Sequence, residues 1–183
     1  MEHPKREITG VVEGLVRAKT AEDQKKVLER YFTPDASFDH PMCAVNSWPH
    51  SRDNGILQIY QWLRIMFMDT LIEVHSVAYD ESNKRIYIEA TQTLRCNLSF
   101  IRSIHAPKAT LVVLLNLVQG SDKKYYICKQ QDVYPIQELP CKLIPGLSTM
   151  VMFMKLLVGI LISIYVAIFQ LFGVWTLKPT RTA

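Results

Sequence analysis

The chain has 183 residues, enough for one domain plus an appended segment, and a net charge of +4 that sets no strong bias. No basic cluster with interleaved aromatics points to nucleic acid. Cys43, Cys96, Cys128 and Cys141 show no CxxC or metal-ligand spacing, as in an ordinary cytosolic domain, and no HxxxH or HxH motif suggests zinc, so we expect neither metal nor cofactor.

The opening MEHPKREITG has no apolar core for a secretory signal, and its acids argue against a transit peptide. Residues 5–19 fit a helix, with Ile8, Val11, Val12, Leu15 and Val16 on one face. Thr20 then caps a helix over AEDQKKVLERYF, with Asp23 as the capping-box acid and Thr33-Pro34 as the stop. PDASFDHPMCAVNSWPH has room for one short strand, ASFDH, and an irregular loop. A third helix spans about residues 53–68, where Ile56, Ile59, Tyr60, Leu63 and Phe67 recur at helical spacing and Trp62 and Met66 widen the stripe.

From Leu71 the period changes to two, and LIEVHSVAYD and KRIYIEATQTLRCNL read as a hairpin about ESN. His75 shares a face with Glu73 and Val77. In the second strand Ile86, Ile88, Ala90, Leu94 and Cys96 face one way, and Arg85, Tyr87, Glu89, Thr91, Thr93 and Arg95 the other. KATLVVLLNLVQ is apolar on both faces, as a central strand would be, and GSDK turns the chain into KYYICKQQDVYP. Residues 136–147 form a proline-punctuated linker.

Residues 148–178 form the membrane-anchoring helix, and 179–183 a short tail. Residues 156–177 contain no Asp, Glu, Lys or Arg and span about 33 Å as a helix, enough for a hydrocarbon core of about 30 Å. Trp175 and Tyr165 suit an interface, Lys178 and Arg181 close the span, and Lys155 is expected to snorkel to the headgroups. A monotopic hairpin on a lipid-droplet surface is the alternative. With the span last and no signal, insertion follows translation and the domain faces the cytosol, at the endoplasmic reticulum or the mitochondrial outer membrane. Gly159, Ser163 and Ala167 repeat every four residues, a stripe that admits a homodimer through the span.

Helices gathered against long antiparallel strands make an α+β fold over residues 5–135. The order resembles the NTF2-like cone of ketosteroid isomerase, scytalone dehydratase and the SnoaL-like cyclases: three helices packed on a curved antiparallel sheet. RYFTPDASFDHP, residues 30–41, is similar to the isomerase run in which an acid directly precedes proline. YFTPDASFDHPMC followed by a terminal span resembles, more narrowly, the fungal SigF-like NTF2-like proteins.

That resemblance puts His40 where the isomerases hold a general base, and histidine also moves protons near neutral pH. His75 is a weaker catalytic candidate, by analogy with the paired histidines of scytalone dehydratase. Leu15 and Val16 stand where a tyrosine oxyanion donor is expected, and the third long strand offers Asn116 rather than an acid. Phe38, Trp48, Tyr60 and Trp62 would line an apolar cavity, with Gln92, Asn116, Asp132 and Tyr134 as polar pocket residues. We expect a membrane-anchored, cytosol-facing domain that binds an apolar small molecule such as a lipid, sterol or polyketide. The alternatives are an isomerase, dehydratase or cyclase of a lipophilic metabolite with His40 as acid or base, and an adaptor that binds a protein through its sheet.

Overall fold

A computed structural model describes residues 1–67, 70–95, 106–139 and 141–173. Helix α1 (Pro4–Val16) opens on a proline, whose missing N–H is no loss in a first turn, and it buries Ile8, Val11 and Leu15. Helix α2 (Ala21–Tyr31) is capped as expected: Thr20 Oγ1 accepts the Asp23 N–H at 3.0 Å. Buried Gln24 on α2 donates to the carbonyls of Leu15 and Tyr60 and so ties the helices together.

Strand β1 (Phe32–His40) follows without a loop and is longer than ASFDH, because buried Phe32 already pairs with Ile127. Pro34, which cannot donate to a ladder, falls where the register shifts between Phe32 and Ser37. Strand β2 (Cys43–Val45), expected as loop, folds back on β1. The third helix begins with a π turn, Arg52–Ile56, before α3 (Leu57–Met66). A Cβ at Gly55 would lie 2.6 Å from Val45 Cγ1, so glycine lets this turn approach β2.

The remaining strands are β3 (Leu71–Asp80), β4 (Arg85–Thr93), β5 (Lys108–Gln119) and β6 (Tyr125–Val133). The sheet order is β2-β1-β6-β5-β4-β3. The expectation of an antiparallel sheet fails at one join: β1 and β6 are parallel, so the sheet is mixed. Two further expectations change. A bulge at His75, between the Val74 and Ser76 pairs, turns Val77 inward and leaves His75 outside. Strand β5 buries one face only, and Val112 and Val118 are exposed on the other.

The helices cover the concave face, where Leu28, Ile56, Ile86, Ile88, Leu115 and Ile127 are almost wholly buried. The stretch read as a linker is docked rather than free. Leu139 and Cys141 are buried, Glu138 Oε2 accepts the Thr110 N–H at 2.9 Å, and Lys142 Nζ donates to the Lys108 carbonyl at 2.7 Å. Helix α4 (Leu147–Leu171) follows, long and apolar enough to cross a membrane, with none of its residues buried. Its first turns are tied back to the domain: Ser148 Oγ donates to the Gln137 carbonyl at 2.7 Å, and Lys155 Nζ to Gln137 Oε1 at 3.1 Å. Cys96, His105, Trp175, Lys178, Arg181 and the expected end of the anchor lie outside the described residues.

Candidate functional site

Between α1, α3 and the concave sheet lies a cavity of about 260 Å³. Leu15, Phe32, Val113, Leu115 and Ile127 close its inner part. Its rim carries Met42, Trp62 and Met66, which line the cavity yet are exposed to solvent. Leu139 and Leu143, from the segment before α4, complete the wall.

The polar groups collect where β1 lies beside β6. The register pairs Phe38 with Gln130 and Asp39 with Gln131, so one step further His40 and Asp132 are neighbours on the cavity face. Tyr60 OH donates to Gln130 Oε1 at 2.9 Å, and Gln130 Nε2 donates to Asp132 Oδ1 at 2.9 Å. Asp132 Oδ2 has no hydrogen-bond partner among the described residues. Tyr134 OH donates to Gln92 Oε1 at 2.9 Å. The His40 ring meets Tyr134 edge-on at 5.2 Å and lies parallel to Phe38 at 6.2 Å.

Burial sets the protonation states. It pushes the Asp132 carboxyl up to about 7, only partly offset by the Gln130 hydrogen bond. Burial also lowers the affinity of His40 for a proton, against a smaller opposing pull from Asp39. His40 Nδ1 accepts the Met42 N–H at 3.2 Å, so the neutral ring carries its proton on Nε2. The Tyr60 and Tyr134 hydroxyls are held firmly protonated by burial and by nearby Asp132. Near neutral pH the Tyr60 and Tyr134 protons are committed to Gln130 and Gln92, and the wall offers the His40 Nε2–H and a carboxyl that can give or take a proton.

Of the residues singled out in the sequence, His40, Phe38, Tyr60, Gln92, Asp132 and Tyr134 meet in this cavity, and Trp62 stands at its rim. Three do not. Trp48 is exposed in the loop after β2. Asn116 is on the other face of β5, since buried Leu115 and Leu117 take the inward positions beside it. His75 is exposed on the outer face, 2.8 Å from Thr91 Oγ1. Gln130 shares the strand face of Asp132 and Tyr134 in the sequence but is not among the expected pocket residues, and no sequence signal marks Leu139 and Leu143. The missing helix-one tyrosine is answered from elsewhere: the hydroxyls in this cavity come from α3 and from the residue just after β6.

The family model of the SigF NTF2-like domain matches residues 1–174. A search of curated proteins finds no match. Similar solved structures include a nuclear transport factor 2-like superfamily protein from Salmonella enterica, 14% identical, covering 72% of this chain and 90% of that one with a TM-score of 0.53. A Catenulispora acidiphila protein with a ketosteroid isomerase-like fold, in complex with trimethylamine, is 12% identical over 72% and 87% of the two chains, with a TM-score of 0.54. An LEH-like epoxide hydrolase from M. tuberculosis is 13% identical over 81% and 92%, with a TM-score of 0.53. At such identities these likenesses establish the NTF2-like fold alone.

Proposed function

This chain belongs to the SigF NTF2-like family, and from that premise we propose that it binds an apolar small molecule with one polar end, drawn from a membrane that α4 enters. The observation that carries this is the cavity: open, walled by apolar side chains, with its polar groups confined to the corner of His40, Gln130, Asp132, Tyr134 and Gln92. That division suits a ligand whose hydrocarbon body fills the inner part while a hydroxyl or carbonyl meets the donors. The open cavity favours binding over an adaptor role. In this reading α4 is a single-pass anchor and the domain lies on the cytosolic side.

The test is native mass spectrometry of the full chain released from membranes, followed by lipid extraction. Wild type should carry an apolar small molecule. Val113→Trp, which places an indole in the cavity, should lack it while keeping the fold. A wild-type protein that is consistently empty, or a Val113→Trp protein that still holds the molecule, overturns the reading.

One observation favours a second reading, proton transfer on the bound molecule. A carboxyl poised near 7 beside a neutral histidine is suited to isomerisation or dehydration, with Asp132 rather than His40 the better placed to exchange a proton. If this holds, the extracted molecule changes its mass or its retention time after incubation with wild type and not with Asp132→Asn. An identical molecule after both incubations removes the reading.

A further inference from the structure

We propose that the rim of the cavity is itself a membrane contact, set at headgroup level, so that the ligand passes from the lipid leaflet into the cavity without crossing water. This rests on the reading of α4 as a span. Within α4 the one charged residue is Lys155. An ammonium is costly in hydrocarbon, so Lys155 marks the headgroup level and the apolar remainder of α4, residues 156–171, lies below it.

Lys155 does not reach for the headgroups alone. Its Nζ donates to Gln137 Oε1 at 3.1 Å, and Ser148 Oγ, two turns earlier, donates to the Gln137 carbonyl. The segment before α4 is thereby held along the first two turns of the helix, at the depth Lys155 sets. Two residues after Gln137, Leu139 enters the cavity wall, and Leu143 joins it. The cavity wall and the depth marker are therefore joined through one short, hydrogen-bonded piece of chain.

The rim has the chemistry that such a position needs. Met42, Trp62 and Met66 are 50%, 45% and 39% exposed, and Ile136 and Ile144, on the segment itself, are 64% and 58% exposed. Such exposed apolar side chains are costly in water and at home in a membrane interface, where tryptophan in particular partitions.

The experiment uses the full chain in phosphatidylcholine vesicles whose lipids are brominated either near the headgroup or near the chain ends. Three single-tryptophan proteins are compared. One keeps only Trp62, one keeps only Trp175, and one has all three native tryptophans replaced by phenylalanine with a Glu81→Trp probe in the turn between β3 and β4. The expected result is loss of Trp62 emission with near-headgroup bromines, loss of Trp175 emission, and unchanged emission from the Glu81→Trp probe. Unquenched Trp62 with quenched Trp175 overturns the rim contact while leaving the anchor. Unquenched Trp175 overturns the anchor, and the rim contact with it. Equal quenching of Trp62 and the Glu81→Trp probe also overturns the proposal, because contact would then not be specific to the rim.

Discussion

Strand β6 passes through two different environments within nine residues. Near its start Ile127 is 1% exposed, among Ile86, Ile88 and Leu115 in a core with no polar partner to satisfy. Near its end Gln130 and Asp132 sit in a hydrogen-bonded chain beside an open cavity. The first end gains from burial of apolar area, about 25 cal/mol per Å². The second keeps a carboxyl at a pH-sensitive threshold that burial alone disfavours. One strand thus holds the fold together at one end and displays hydrogen-bonded polar groups at the other.

The comparison can be broken most forcefully at the apolar end. Ile88→Asp puts a charge on a fully buried position with no counter-charge and should cost more than about 4 kcal/mol, enough to unfold the domain. Glu89→Lys, one residue along on the exposed face, should stay within about 0.5 kcal/mol. Comparable shifts of melting temperature for the pair would contradict the two-faced account of β4.

At the polar end the effects are smaller and differ in sign. Gln130→Leu leaves the Tyr60 hydroxyl and an oxygen of Asp132 unpaired, and should cost about 1–3 kcal/mol in denaturant melts. Asp132→Asn should do the reverse and stabilise the domain at pH 8, because it removes the cost of holding a buried carboxylate. The folded state holds the Asp132 proton to about pH 7, well above an unfolded aspartate near 3.8. Between those values the folded state binds more protons, so wild-type stability falls as pH rises and levels off above 7. The asparagine variant should lack that slope, and identical pH profiles would refute the assignment.

The smallest stability effect belongs to His40. Among the described residues its side chain makes one hydrogen bond, accepting the exposed Met42 N–H, so His40→Ala should cost no more than about 1 kcal/mol while reducing retention of the proposed ligand. His40→Asp should recover part of that retention. A large drop in melting temperature with unchanged retention would make His40 a structural residue.

Period and capping made much of this legible in advance. Strand β3 begins and ends where alternation of side chains starts and stops, β5 covers the apolar run KATLVVLLNLVQ, and Thr20 caps α2 through the atom its type predicts. The wall of the cavity was legible wherever a polar residue broke an inward-facing apolar series, as Gln92 does on β4. Trp48 and Asn116 show where that signal fails. Trp48 lies in a loop, where periodicity assigns no face, and in β5 both faces are apolar, so composition could not tell Asn116 from an inward residue. The bulge at His75 inserts one residue, and every inference of facing after it inverts. The parallel join of β1 to β6 was invisible because it depends on long-range topology, and the docking of Leu139 because a proline-rich stretch has no period.

That parallel join has a kinetic consequence. Asp39 and Gln131, which meet across it, are 92 residues apart in the chain. Until β6 exists, β1 has only three-residue β2 for a strand neighbour and is not joined to the β3-β4-β5 part of the sheet. During synthesis β1 must therefore wait with an unpaired strand edge. Such high contact order slows folding and leaves an early intermediate prone to aggregate. The nascent chain should accordingly depend on a holding chaperone until residue 133 has emerged, and moving β6 to the amino terminus by circular permutation should relieve that dependence.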